Sequence, residues 1–259
     1  MLLRKYYLIV VLVFLCGCTS EYNLATGKEE RLMYGTDKEI NLGNAIALQI
    51  EKQVKFVTDL DSNARVHKIF DRLAAVSDRQ DIIFTVNIID DDTVNAFSIP
   101  GGYVYIHKGL LDKLKEDDQI AGVLAHEIAH ITAKHGLKRM QNSYGALLLQ
   151  IASFGSGEPE LAQGVNAIIT SLYFAYSRED EYEADELAVK YTQKAGFDPH
   201  KMIDVLEVLK AEDEKAPLRQ ANYFRTHPYP NERIAVVNKT ISGKISFRDY
   251  LNLIGSDKQ

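Results

Sequence analysis

The stretch Ala125-His126-Glu127-Ile128-Ala129-His130 sets a His-Glu-x-x-His motif inside an apolar segment. On a helix, residues four apart lie on one face, so His126 and His130 can offer imidazole nitrogens to a single metal ion. Glu127 projects to the edge of that face, where a carboxylate can hold a water and take its proton. The combination serves metal-assisted attack of water on a carbonyl, with zinc the usual ion. Ile120, Val123, Leu124, Ile128 and Ile131 give the helix a broad apolar face. The pattern predicts a start near Asp117 or Asp118 and an end near Gly136.

Two histidines do not complete a catalytic zinc site, which needs a third protein ligand and an open position for water. The arrangement with Gly seven and His ten residues after the first His is absent, because Ala133 and Gly136 hold those positions. His135 falls one residue short, and along a continuous helix it turns away from the metal face, which suits a surface or outer-sphere position. The other solution is a Glu on a later helix. Ser177-Arg178-Glu179-Asp180-Glu181-Tyr182-Glu183-Ala184-Asp185 offers Glu181. Glu181 and Asp185 share a helical face, and Ala184 permits close packing on the motif helix. Asp185 is placed to accept the second N–H of a ligand histidine. Alone, the stretch reads as a solvated helix start. Coupled with His126 and His130, it reads as the rest of a metal site.

The chain has 259 residues, 46% hydrophobic and 25% charged, with a formal charge of −6, as expected of one globular domain with a short appendage. Without a dense basic cluster, no nucleic-acid partner is expected. Arg4 and Lys5 precede an apolar run too short for a permanent span, followed by Leu15-Cys16-Gly17-Cys18. This resembles the bacterial lipobox, with Gly17 before the cleavage point and Cys18 as the lipidated residue. The expected division is a signal peptide at 1–17, a lipid anchor and polar tether at 18–36, a metallopeptidase domain at 37–240 and an extension at 241–259. Both cysteines lie in the leader, so no disulfide staples the domain. Apolar spacing predicts a long helix from Asp37, a second helix over 63–75 and a strand over 82–89. Gly101, Gly102 and Tyr103 follow as a turn and strand that an extended substrate could join edge to edge. The small-residue stretch 144–169 is expected to line a cleft rather than span a bilayer.

Four blocks together resemble the zinc endopeptidase family that includes the CAAX prenyl protease and the bacterial heat-shock membrane protease. They are Asn95-Ala96-Phe97 with Gly101-Gly102, the His126–His130 motif, Glu181-Tyr182-Glu183-Ala184-Asp185, and Thr226-His227-Pro228-Tyr229-Pro230-Asn231-Glu232-Arg233. The resemblance implies an α+β, mostly helical, zincin-like (gluzincin) fold with a small antiparallel sheet and an active-site helix. It implies one Zn2+ per chain on His126, His130 and Glu181, with Glu127 as general base and Asp185 orienting a ligand. His227 would lie at the active site, bonding the oxyanion or filling the open zinc position in a closed state. Arg233 would anchor that loop or bind substrate. The implied function is hydrolysis of misfolded or misassembled envelope proteins by a periplasmic, lipid-anchored enzyme, and Thr19 after Cys18 points to the outer membrane. The contrasting reading is a lipid-anchored chaperone or assembly factor whose zinc is structural, which has no use for Glu127.

Overall fold

The computed structural model describes residues 19–32, 35–142, 175–215 and 223–255; the leader with Cys18 and residues 144–169 lie outside the described residues. In chain order the elements are β1 (Thr19–Asn23), β2 (Lys28–Leu32), α1 (Thr36–Glu51), α2 (Leu60–Ala74), β3 (Thr85–Ile89), β4 (Ala96–Ile99), β5 (Tyr103–His107), α3 (Lys108–Leu111), α4 (Asp117–Thr132), α5 (Arg178–Lys194), α6 (Lys201–Lys215), α7 (Tyr223–Thr226), α8 (Pro230–Ser242) and α9 (Phe247–Gly255). A further helical stretch, residues 135–142, follows α4. The expected mostly helical α+β fold is what forms.

The motif helix α4 is the centre of the molecule. Every residue from Gln119 to Thr132 is buried, because α2, α5, α6 and β4 pack around it. Gly122 makes this possible on one side, since a Cβ there would lie 2.8 Å from Met202 Cγ of α6. The helix begins at Asp117, as the pattern predicted, but its N-cap is Glu116 rather than either aspartate. The Gln119 side chain accepts the backbone N–H of Glu116 at 3.2 Å and of Lys115 at 2.8 Å, leaving Asp117 and Asp118 in the first turn, where the helix dipole favours them. It ends at Thr132, not near Gly136. Lys134 adopts φ +57°, a conformation that breaks the helix and that residues other than Gly rarely take.

The three-stranded sheet has the order β3-β5-β4 and is mixed rather than antiparallel: β3 runs parallel to β5, and β4 antiparallel to it. Strand alternation sends Val104 and Ile106 of β5 toward a core formed with α2 and α4, including Phe70, Leu73, Val123 and Leu124. Tyr105 faces a second apolar cluster with Leu42 and Ile46 of α1, Phe97 and Leu137. With both faces covered, β5 is apolar nearly throughout.

The turn into β5 requires glycine. Gly102 has φ +101°, and a Cβ there would lie 2.2 Å from the Ile83 carbonyl oxygen. The dihedral alone should make Gly102→Ala cost about 1–3 kcal/mol, a loss of roughly 2–12 °C in melting temperature. An unchanged melting temperature would show that the turn has another route.

Residues 19–32, expected as a polar tether, instead form the antiparallel hairpin β1–β2. It is docked, for a polar reason the composition hid. The Asn23 amide donates to the Thr132 carbonyl at 3.0 Å, satisfying a group exposed by the break at the end of α4. Lys134 pairs with Glu21 at 2.8 Å and Lys28 with Glu183 at 2.7 Å, while Leu32 is buried in the second cluster. At the other end, Gly243 terminates α8 at φ +66°, and α9 folds back on α8. Among the described residues no helix is long and apolar enough to cross a membrane.

Candidate metal centre

His126 and His130 of α4, Glu181 of α5 and His227 after α7 offer buried ligand atoms that all lie within 4.8 Å of one another. A capping box starts α5: Ser177 Oγ accepts from Asp180 N–H at 3.1 Å and the Asp180 carboxylate accepts from Ser177 N–H at 3.3 Å. Glu181 thus projects inward from the first turn. The His227 N–H donates to the Tyr223 carbonyl at 2.8 Å, closing α7, and Pro230 starts α8 three residues later.

Four of the donor spacings come close to the edges of a tetrahedron around one ion. His126 Nε2 lies 3.0 Å from His130 Nε2 and 3.3 Å from His227 Nδ1. Glu181 Oε1 lies 3.0 Å from His227 Nδ1 and 3.5 Å from His130 Nε2. A tetrahedron with metal–ligand bonds of about 2.0–2.1 Å has edges of about 3.3–3.4 Å. Three imidazoles and one carboxylate also suit Zn2+ chemically.

Asp185 lies beside His126: its Oδ1 is 2.9 Å from His126 Nδ1. A carboxylate only accepts, so His126 keeps its proton on Nδ1 and aims a bare Nε2 at the centre. Arg233, expected to anchor the His227 loop or bind substrate, meets the His227 carbonyl with Nη1 at 3.4 Å and organises the centre as well. Its Nε and Nη2 grip Asp185 at 2.8 Å each, and Nη1 lies 3.0 Å from Glu181 Oε2. Fully buried, it anchors the site from beneath and is not displayed to substrate. Burial opposes ionisation of Glu181 and Asp185, but the Arg233 charge outweighs it and holds both carboxyls below their usual range. Burial and Arg233 also oppose protonation of His126, yet Asp185 and Glu181 raise its pKa to about 9. Burial drives His130 well below the usual imidazole range.

Glu127 is fully buried, and neither of its oxygens has a hydrogen-bond partner; Oε1 lies 3.4 Å from His227 Nε2. Two tyrosines seal the centre. Tyr176 stacks on His130, with centroids 4.0 Å apart, and Tyr223 stacks on His227 at 4.5 Å. Tyr223 and His227 are one helical turn apart, a spacing readable in advance; nothing local marks Tyr176. The Tyr176 N–H donates to the Thr226 carbonyl at 3.0 Å, tying it to the His227 loop.

Gly101, Gly102 and Tyr103 do not form a free edge. Tyr103 pairs with Thr85 on one side and Ile99 on the other, so β5 is the middle strand. The two glycines let the turn press against α1 and Ile83. The edge strands are β3 and β4, and Ser98, Ile99 and Pro100 at the end of β4 line a narrow cleft with His130 and Tyr176.

Residues 61–241 match the profile of Peptidase family M48. The chain belongs to that family. All four quoted sequence blocks lie inside the matched region, and the family is one of metallopeptidases, in keeping with the buried donor cluster. Among relatives, the putative beta-barrel assembly-enhancing protease of Vibrio cholerae is 30% identical over 212 residues, 76% of this chain and 43% of that one. The beta-barrel assembly-enhancing protease of Escherichia coli is 27% identical over 209 residues, 76% of this chain and 42% of that one. The mitochondrial metalloendopeptidase OMA1 of Schizosaccharomyces pombe is 29% identical over 176 residues, 67% of this chain and 51% of that one. This chain therefore spans about half or less of each relative.

Proposed function

We propose that this M48 chain is a zinc-dependent endopeptidase of the bacterial envelope, with His126, His130 and Glu181 as the metal ligands and Glu127 as the general base. The observation that carries the reading is a buried carboxylate with no hydrogen-bond partner, Glu127, set beside a compact cluster of buried donors. A zinc ion held there would acidify a water and polarise the scissile carbonyl. Glu127 takes the proton as the water oxygen bonds to the carbonyl carbon, then passes it to the leaving amine as the C–N bond breaks. Asp185 holds the His126 ring, and Arg233 holds Asp185 and Glu181 in place. An extended substrate lies along β4, whose outer edge runs toward His130.

The relatives named for β-barrel assembly support an envelope setting, with misfolded or misassembled envelope proteins as substrates. The lipobox-like Leu15-Cys16-Gly17-Cys18 supports attachment through lipid on Cys18, at the periplasmic face of the outer membrane. A second reading, a lipid-anchored chaperone or assembly factor with a structural zinc, is favoured by one observation. Four protein donors close the site, as in structural rather than catalytic centres.

His227 would reconcile the two by capping a bound ion at rest and withdrawing to admit water. If the uncapped form is a minor population of about 0.1–10%, His227→Ala should retain about one zinc per chain and cleave unfolded casein roughly 10-fold faster or more. Removing the zinc with a chelator should abolish that cleavage. Unchanged or slower cleavage by a zinc-replete His227→Ala protein would refute the capping role.

A further inference from the structure

The two histidines of the motif are oriented in different ways, and only one of them is oriented by a carboxylate directly. His126 Nδ1 meets Asp185. His130 Nδ1 meets another histidine, His135 Nδ1, at 2.9 Å. Behind it, His135 Nε2 lies 3.1 Å from Glu183 Oε2, with Asp180 further off at 3.6 Å. His130 and His135 are both buried, so water does not complete these contacts.

The direction of this chain follows from its far end. The Glu183 carboxylate can only accept, so the His135 proton sits on Nε2 and its Nδ1 is a lone pair. That lone pair accepts from Nδ1–H of His130. The His130 proton is therefore fixed on Nδ1, and its Nε2 is left bare toward His126, Glu181 and His227. We propose that His135 and Glu183 are positioning residues for the metal centre, a carboxylate–histidine relay that sets the tautomer and ring orientation of the ligand His130.

Four features of the fold support this arrangement. Lys134 at φ +57° stops α4 and swings His135 back over the turn that carries His130, which a continuous helix would not allow. Glu183 lies two residues beyond Glu181 on α5, so the helix that supplies the third ligand also supplies the end of the relay. The docked hairpin contributes Lys28, whose ammonium donates to Glu183 Oε1 at 2.7 Å and leaves Oε2 for His135. Tyr176 stacks on His130 and restricts rotation of the ring.

This inference rests on the reading of His130 as a metal ligand, and the experiment keeps the two apart. Zinc affinity is measured by chelator competition on the full chain for wild type, His135→Leu and His135→Asn, with thermal unfolding as a check on folding. Loss of such an outer partner typically weakens metal binding 10–100-fold. His135→Leu should show that loss. His135→Asn should recover most of it, because its side-chain carbonyl can accept from His130 Nδ1–H. Equal zinc affinity in all three proteins, or equal weakening in both variants, would overturn the relay. Ring-nitrogen NMR of the zinc-loaded wild-type protein supplies a readout that needs no variant to fold. It should show His135 neutral with its proton on Nε2, and an imidazolium or an Nδ1–H tautomer would overturn the relay as well. Wild-type protein that binds no zinc would instead overturn the metal-ligand reading itself, and the relay with it.

Discussion

Glu127→Gln should lower peptide hydrolysis by about 10²–10⁴-fold, the usual contribution of a positioned general base, while zinc content stays near one per chain. The argument rests on the surroundings of Glu127. It is fully buried beside the donor cluster, and neither oxygen has a hydrogen-bond partner. A carboxylate kept only for stability would not be left in that condition, because burying a polar group without hydrogen bonds is costly. Gln has the same shape and carries no charge, so the variant should melt at the same temperature as wild type or higher. Casein degradation, zinc content and thermal unfolding measured on both proteins decide the matter. Retained cleavage would sink the mechanism. Lost cleavage together with lost zinc would mean that Glu127 is a ligand rather than a base. Full cell-envelope function with no cleavage by either protein would favour the chaperone reading.

Arg233→Ala should give the largest loss of stability of any single change near the centre. Arg233 grips both Asp185 oxygens at 2.8 Å and approaches Glu181 at 3.0 Å, with all three residues buried. Removing one partner of a buried ion pair costs about 3–5 kcal/mol, since the charge left behind has lost its counter-ion and cannot reach water. For a protein of this size that corresponds to a fall of roughly 6–20 °C in melting temperature. Lys should rescue poorly, because it cannot reproduce the two-pronged contact with Asp185. The double variant Arg233→Leu/Asp185→Leu should recover part of the loss, since it removes both charges of the closest pair. A melting temperature within about 2 °C of wild type for Arg233→Ala, roughly the shift of 1 kcal/mol or less, would show that the carboxylates are not held by this cation.

Much of the site was legible because its parts are related by helical periodicity. His126 and His130 are four apart on α4, and Glu181 and Asp185 are four apart on α5, so each pair shares a face whatever the rest of the chain does. The apolar residues of α4 predicted its burial for the same local reason. Arg233 was harder, because a buried Arg and a surface Arg look alike in sequence and only packing distinguishes them. The hairpin was missed because polar composition reads as a tether, and its docking depends on single contacts such as Asn23 with Thr132.

By itself the sequence determined the candidate donors, their grouping on two helices, the Glu127 carboxylate beside them and their order along the chain. Those relations are local, and 3.6 residues per turn fixes them. The tertiary structure decided how the groups meet. It placed His227 within 3.3 Å of His126, put β5 in the middle of the sheet and β4 at an edge, and turned His135 toward His130 through one left-handed residue, Lys134. Strand order and a left-handed non-glycine residue depend on long-range packing that overrides local preference, and no local pattern encodes either.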